Sequence, residues 1–511
     1  MTDQVLEPGR RNLVTVAVML AVLIQVLDTT IANVALPHMQ ASLGATQESV
    51  NWVLTSYIVA SAIAIPISGW LADRIGRKRL LIMAVIGFTI ASLLCAIATS
   101  LTEMVIFRAI QGVTGAFLVP LAQATLFDIN PPERHARAMA LFGGGIMIGP
   151  IMGPVLGGWL TDSFNWRWVF LVNLPVGAIA AVMLWRTMPS IPLTKRKFDI
   201  FGFALLGLAL GSLQLMLDRG QQLDWFTSPE IWIELGLALG AAWMFVTHTL
   251  TGRNPIFERG MFADRNFALG MFFMMVTGVL LLAGLALLPP LLQGLYGHSV
   301  YQSGLLTMPR GVGTLITMVL AGRLIGKVDL RVLVALGMGL MAWSLHMMAG
   351  FAIDMGSGPI IVSGVIQGLG LGLMFVTIQS LAFATLVPRL RTHAASLLNL
   401  SRNIGGSIGI SVVAALLARN VQVAHADMAG RITDQQLPTL TGTMVSQFGL
   451  PAEAAVALAN AEINRQAAFI AYIDDFYLMM WVTLAAIPLV LLLRPAKKDE
   501  PGELHDAVAI D

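Results

Sequence analysis

The chain has 511 residues, 56% hydrophobic and 12% charged, with a mean hydropathy of +0.77. A soluble domain carries about 25% charged residues; here the apolar excess recurs along the whole length, which excludes a soluble globular fold and indicates a polytopic membrane protein. A net charge of +2 offers no basic field for nucleic acid, and a single cysteine, Cys95, excludes an intramolecular disulfide.

A membrane span needs about 20 mainly apolar residues. Fourteen runs qualify: 13–36, 50–72, 80–99, 103–126, 137–161, 167–187, 199–217, 229–250, 267–292, 303–325, 331–352, 358–382, 394–418 and 470–493. The first follows Arg10 and Arg11 but is too long for a signal peptide, so it reads as an uncleaved helix. With the N-terminus placed in the cytoplasm, the basic clusters Arg74–Arg79, Arg134/Arg137, Lys195–Lys197, Arg253/Arg259/Arg265, Arg323/Lys327/Arg331, Arg389/Arg391 and Lys497/Lys498 all fall inside. Both termini are then cytoplasmic.

In the first span Asp28 is the one acid, and an ionisable group at that depth marks a functional site by default. Helical periodicity puts Gln25, Asp28, Thr29 and Asn33 on one stripe as candidate cavity residues. The loop after the second span reads Gly69-Trp-Leu-Ala-Asp73-Arg74-Ile-Gly76-Arg77-Lys78. Its glycines suit close packing and a sharp turn, and Asp73 and Arg77 can pair across helices. The fourth span carries Arg108, Gln111, Gly112 and Gly115 on one stripe. Arg108 lies roughly 8 Å, and Asp28 roughly 12 Å, below the same outer surface at 1.5 Å per residue. A carboxyl that meets a cation in one conformation and not in another binds and releases a proton as the protein moves.

The fifth span spaces Gly145, Gly149, Gly153 and Gly157 by four, with Pro150 and Pro154 in step. Such small-residue ridges let helices approach closely, and the prolines bend the helix, expected here to pack against the other half. The thirteenth span carries Asn399, Arg402 and Asn403 as further cavity or gate candidates. Residues 419–469 form one long polar extracytoplasmic loop, in which 452–468 is Ala-rich and helical in pattern. Asp474 and Asp475 are expected to start the last helix, where acids complement the dipole.

An internal repeat organises these elements. Ile110-Gln111-Gly112 recurs as Ile366-Gln367-Gly368, 256 residues on, and the loop from Gly69 recurs in degraded form from Gly322, 253 residues on. In that alignment Gly326 takes the place of Asp73, which leaves Asp329 as the acid for any second latch, and Gly364 falls where Arg108 would be. Both matches step by eight helices, so two helices are inserted between two six-helix repeats, a transporter plan. The expected organisation is a cytoplasmic N-terminus (1–12), a six-helix bundle (13–187), an inserted pair with flanking loops (188–266), a second bundle (267–493) and a cytoplasmic tail (494–511). No GxxxxGK[ST] nucleotide loop, HExxH or Cys/His cluster occurs, so an ATP-driven pump, an intramembrane enzyme and a metal site are disfavoured.

The Gly69–Lys78 loop resembles the signature of the major facilitator superfamily. The Arg108 stripe resembles the superfamily's fourth-helix motif, and GPIMGPVLGG in the fifth span resembles its antiporter motif. Leu27-Asp28-Thr-Thr-Ile-Ala32-Asn-Val-Ala-Leu-Pro37 is similar to the first-helix motif of the 14-span drug:proton antiporter family, with Ala32 where valine is usual. Gly211–Thr227 and Leu288–His298 are similar to EmrB-type exporters. The resemblance implies an all-α major facilitator fold and proton-driven export of hydrophobic toxic compounds with no cofactor. It implies Asp28 and Arg108 in proton coupling, with Gly69, Asp73, Arg74, Gly76, Arg77 and Lys78 as a cytoplasmic latch. It further implies a place in the bacterial inner membrane and, as partners, a periplasmic membrane-fusion adaptor and a TolC-type outer-membrane channel. The 419–469 loop is a candidate contact for that adaptor. The alternatives are an uptake symporter, against which the fifth span argues, and a non-transporting sensor or structural protein, which would tolerate loss of Asp28.

Overall fold

A computed structural model describes residues 7–131, 134–189, 197–252, 255–431, 442 and 451–494. The expected cytoplasmic tail beyond Arg494, the first six residues, the basic residues Lys195, Arg196 and Arg253, and most of the centre of the 419–469 loop lie outside the described residues. Among the described residues every regular element is a helix. That is the form in which a chain satisfies its own backbone polar groups inside hydrocarbon.

The long helices are α1 (Pro8–Leu43), α2 (Trp52–Ile75, with a 3-10 turn at Ile65–Ile67), α3 (Arg77–Ile97), α4 (Leu101–Ile129), α5 (His135–Ser163), α6 (Trp168–Thr187), α7 (Ile200–Arg219), α8 (Pro229–Thr251), α9 (Arg265–Leu295), α10 (Val300–Leu324), α11 (Leu330–Ala349), α12 (Ser357–Ala384), α13 (Arg391–Arg431) and α14 (Ala452–Ala486, continued by a 3-10 stretch to Leu492). Among the described residues thirteen of them are long and apolar enough to cross a membrane, and α5, with 29 residues, takes the place of the fifth expected span. Local chemistry sets their ends. Ser100 caps α4 by accepting from the Glu103 N–H, Ser299 and Gln302 form a capping box on α10, and Gly44 (φ +62°) and Gly76 (φ +92°) end α1 and α2 in conformations that a side chain resists.

Packing repeats with a step of eight. α1 packs on α5, α2 on α4, α3 on α4 and α6; correspondingly α9 packs on α13, α10 on α12, α11 on α12 and α14. The two sets meet along α5 with α10 and along α2 and α4 with α13. α7 fills a seam. Its Gly207 and Gly211 face Ile63 of α2, while Gln214 and the Leu217 carbonyl accept hydrogen bonds from Ser407 and Ser411 of α13 at 2.9 and 2.7 Å. α8 packs chiefly on α7.

Two sequence expectations change. The 419–469 connection is largely two helical extensions: α13 continues to Arg431 and α14 begins at Ala452, with His425 Nε2 bonded to Asn460 Oδ1 at 2.9 Å between them. Asp474 and Asp475 therefore lie 22 and 23 residues inside α14 rather than at its start, so the dipole argument does not apply to them. The 452–468 stretch is helical, as its pattern indicated, whereas 419–431 carries enough polar residues to read as loop although nothing in it breaks a helix.

Candidate functional site

Asp28 sits in the interior of the first six helices, 1% exposed. Its Oδ2 meets Arg108 Nη1 of α4 at 2.6 Å, and its Oδ1 accepts from Gln111 Nε2 and from Asn173 Nδ2 of α6, both at 2.9 Å. Arg108 is itself 1% exposed and is held on every side. Its Nε donates to the Val53 carbonyl at 3.1 Å, its Nη1 to Gln111 Oε1 at 2.8 Å, and its guanidinium stacks 4.3 Å from the Tyr57 ring. Asn173 also donates to Ser92 Oγ at 3.0 Å, and Ser92 donates to the Phe170 carbonyl at 2.9 Å. Gln25 reaches the rim of this network through Tyr57 Oη at 3.3 Å. A buried ion pair is sustained only when its remaining lone pairs and protons are also satisfied, and removing one partner costs about 3–5 kcal/mol. The site is thus a pre-formed holder for one carboxylate, with two donors supplied by neighbouring residues of α4 and a third by α6.

Glycine makes the holder compact. A β-carbon at Gly112 would strike the Tyr57 carbonyl, so α4 and α2 touch backbone to backbone where Arg108 and Gln111 turn inward. On the other side of α1, β-carbons at Gly145, Gly149 and Gly153 would strike Met19, Val26 and Thr30, and one at Gly157 would lie 3.3 Å from Ile31 and Val34. The glycine ridge of α5 therefore faces the Asp28-bearing helix, not the other half as the sequence suggested. It is Gly143 and Gly144 that face α10, at Met318 and Leu315. Thr30 Oγ1 reinforces the α1–α5 seam by donating to the Gly149 carbonyl at 3.2 Å. Pro150 and Pro154 lie within the continuous helix α5, and their side chains are outside the described set.

A second constellation joins the two halves at the end that carries the α2–α3 loop. Arg77 pairs with Asp128 at the end of α4 and donates to Thr392 Oγ1 at 2.8 Å; Arg391 also pairs with Asp128, at 3.1 Å. Asp73 meets His393 Nε2 at 3.2 Å, and a β-carbon at Gly69 would strike the His393 ring. Ser396 Oγ donates to the Ile65 carbonyl at 2.6 Å. Further in, Gln123 Nε2 donates to Gln379 Oε1, and Asn399 Nδ2 to Gln123 Oε1, both at 2.9 Å. The Phe127 and Phe383 rings lie 4.4 Å apart beside them. Gln123 and Gln379, like Phe127 and Phe383, are separated by 256 residues, the offset of the repeat.

The profile of the Major Facilitator Superfamily matches residues 18–410. The chain belongs to the major facilitator superfamily. It is 34% identical over 496 residues to the multidrug export protein EmrB of Escherichia coli K12, spanning 96% of each chain. It is 35% identical over 487 residues to the fatty acid resistance protein FarB of Neisseria gonorrhoeae, spanning 94% of this chain and 96% of that one. Two solved structures share the fold. The human organic anion transporter MFSD10 matches with a TM-score of 0.59 at 15% identity, over 94% of this chain and all 100% of the other. The proton:xylose symporter XylE matches with a TM-score of 0.57 at 14% identity, over 94% and 96%. The protein is thus a multi-pass membrane transporter of EmrB type and not an enzyme.

Within this transporter the candidates read from sequence divide into three groups. Asp28, Arg108 and Gln111 form the buried network. Gly69, Asp73 and Arg77 build the contact between halves and Gly76 makes the turn beside it, whereas Arg74 is exposed and, among the described residues, neither it nor Lys78 takes a partner. The rest of the polar stripe does not converge. Among the described residues Thr29 and Asn33 bond only to their own helix, Asn399 belongs to the contact between halves, and Asn403 makes no hydrogen bond. Arg402 lies 6.0 Å from the Phe375 ring with its Nη1 unpaired. The second-half loop is not a latch of the same kind. Gly326 has φ +89° and makes the turn that Gly76 makes, rather than standing for Asp73, and Asp329 caps α11 by accepting from the Arg331 N–H. Sequence reading missed Asn173, Ser92 and Tyr57 in the network, Asp128, Arg391 and His393 in the contact between halves, and Arg310 in α10. Arg310, ten residues inside a helix, carried the same signal as Arg108.

Proposed function

We propose that this protein is a proton-coupled multidrug exporter of the bacterial inner membrane, acting by alternating access as the inner-membrane component of a tripartite efflux system. In this reading the bundles 13–187 and 267–493 rock about the α5–α10 and α2–α13 seams, with 188–266 as an inserted pair, fourteen spans and both termini in the cytoplasm. The end joined by Arg77–Asp128, Asp73–His393 and Gln123–Gln379 is the cytoplasmic end, closed, so the described conformation is one that releases substrate outward. The observation that carries the reading is the Asp28–Arg108 pair, buried in a chain a third identical to a multidrug export protein over nearly its whole length.

The mechanism follows from what the pair does on protonation. A protonated Asp28 no longer attracts Arg108, so α1 and α4 lose their strongest mutual restraint and the half-bundle relaxes toward the inward-open arrangement. Release of the proton to the cytoplasm restores the pair. Gln111 and Asn173 hold Asp28 Oδ1 during this cycle, which leaves Oδ2 as the oxygen that exchanges its partner. Hydrophobic and amphipathic compounds are the cargo, as the names of the relatives suggest. The α13 and α14 extensions, beyond the outer membrane surface in this reading, are the surface for a periplasmic membrane-fusion adaptor, which in turn contacts a TolC-type channel.

The test is transport in proteoliposomes. With an imposed pH gradient the wild type should drive uphill movement of a dye substrate. Asp28→Asn should lose the driven component while retaining downhill counterflow. Full pH-driven transport by Asp28→Asn would sink the coupling role, and symport in the direction of the proton would sink export.

A further inference from the structure

The second half contains a structural copy of the Asp28 site, and the copy has no carboxylate. Gly112 of α4 meets the Tyr57 carbonyl of α2; Gly368 of α12 meets the Arg310 carbonyl of α10 in the same way. Arg310 therefore stands where Tyr57 stands, and Gln367 where Gln111 stands. Gly364 stands where Arg108 stands, and a β-carbon there would still be 3.9 Å from the nearest atom of Arg310. The guanidinium has moved from one helix to its neighbour while keeping its place beside the glutamine. The Pro37, Gln40, Gly44 spacing of α1 recurs as Pro290, Gln293, Gly297, 253 residues on. That register puts Leu281 at the place of Asp28.

The donors that result are left over. Arg310 is 6% exposed and Gln367 1% exposed. Among the described residues Arg310 has one hydrogen bond, from Nη2 to the Leu281 carbonyl at 3.3 Å, and both amide atoms of Gln367 are without a partner. Among the described residues no carboxylate pairs with Arg310. The two side chains meet at one spot: from the position a β-carbon of Gly284 would occupy, Arg310 Nη1 is 3.4 Å away, Gln367 Nε2 3.6 Å and Arg310 Nη2, already bonded to the Leu281 carbonyl, 3.7 Å. That spot lies over a glycine and so has no side chain of its own. The adjoining turns of α9 and α12 supply buried Leu280, Leu287 and Leu371. A buried guanidinium without an anion is costly, and an amide with both atoms idle adds to that cost. An arriving carboxylate offsets both.

We propose that Arg310 and Gln367 form a subsite for the carboxylate of an amphipathic organic acid. The carboxylate bridges Arg310 and the Gln367 amide over Gly284, one turn along α9 from Leu281, and the apolar body of the ligand lies against the leucines. The assignment of this ligand as cargo rests on the export reading above; the binding itself does not.

The experiment uses the full chain in nanodiscs, with decanoate and 2-naphthoate as probes, each beside its uncharged amide, and reads affinity without any gradient. The wild type should bind each carboxylate at least tenfold tighter than its amide. Arg310→Gln should lose roughly 10- to 100-fold of carboxylate affinity, the range for a hydrogen bond to a charged group, with amide binding unchanged, and Arg310→Lys should recover part of it. Leu281→Asp supplies the missing carboxylate internally, so it should stay folded and lose the preference for carboxylates. If Arg310→Gln does not fold, Leu281→Asp decides alone. A wild type that treats acid and amide alike, or a Leu281→Asp protein that still prefers the acid, overturns the subsite. If wild-type proteoliposomes that move the dye under a pH gradient move none of the four compounds, the cargo assignment falls while the binding result stands; if they fail to move the dye as well, the export reading falls with it.

Discussion

Asp128 is the residue on which the closed end depends most, and Asp128→Asn is the change that should open it. Its two carboxylate oxygens each take a different arginine, Arg77 from the α2–α3 turn and Arg391 from the start of α13, with Arg391 at 3.1 Å. Only the second of these arginines belongs to the other half, but Arg77 also donates to Thr392, so one acid organises both. The side chains are 22%, 11% and 18% exposed, shielded enough for the pairs to count and wet enough that they fall short of buried values. Hydrogen bonds to charged groups contribute about 1.5–3 kcal/mol each. Asparagine keeps one acceptor but loses the charge, so with solvent screening the net loss is about 2 kcal/mol, or roughly 30-fold in the closed-to-open ratio. The assay is the distance between spin labels at Arg79→Cys and Val332→Cys, exposed positions near the same end of α3 and α11, in a Cys95→Ser background. Asp128→Asn should move population from the short to the long distance at this end. An unchanged distribution in a well-folded variant would show that the ion pairs are bystanders and that the packing of Gly69 on His393, with the Gln123–Gln379 bond, closes the end by itself.

Two further outcomes follow from the network and its supports. Asn173→Ala removes the bond to Asp28 Oδ1 and leaves Ser92 Oγ short of a partner, so the protein should lose about 1–3 kcal/mol of stability. This appears as a lower thermal midpoint together with weakened pH-driven transport, while downhill exchange persists. Gly153→Val drives a side chain into Thr30 and should push α1 off α5 at a cost of about 1–3 kcal/mol, whereas Gly158→Ala, with no atom within 4 Å of its β-carbon, should leave the thermal midpoint unchanged.

What the sequence reveals depends on how costly a residue is where it sits. Asp28 and Arg108 were legible because a charge in an apolar run demands a partner, and their similar depth made each the natural partner of the other. Asn173 and Ser92 were not, since small uncharged polar residues are common in spans and most bond to their own helix, as Thr29 does at 2.8 Å. Asp128 sat too near the end of its run to stand out from a loop acid. The inward stripe on α1 failed for a geometric reason. Asp28 and Thr29 differ by about 100° around the helix, so a stripe wide enough to include both spans more than the one face that Asp28 turns to α4. The glycine ridge on α5 was legible as a packing face, but a ridge does not say which neighbour it packs on, and the neighbour turned out to be α1.

The repeat also explains why the closure is neutral at its centre and charged only off to the side. Groups that meet across a twofold axis must be complementary to copies of themselves. A carboxamide is donor and acceptor at once, and a phenyl ring has a negative face and a positive edge, so Gln123 can meet Gln379 and Phe127 can meet Phe383. A carboxylate or a guanidinium repels its own copy, so ion pairs cannot lie on the axis and are free to diverge. They have diverged: Asp128 corresponds to Ala384, and Lys327, which follows Gly326 as Arg77 follows Gly76, has no acid to meet among the described residues. The same freedom separates the interiors of the two halves. Asp28 fills its own set of donors, whereas Leu281 leaves the donors of Arg310 and Gln367 unfilled. On the proposed reading, a duplicated bundle in which one copy holds a carboxylate for the proton and the other holds none can assign different ligands to its two halves without altering the seams between them.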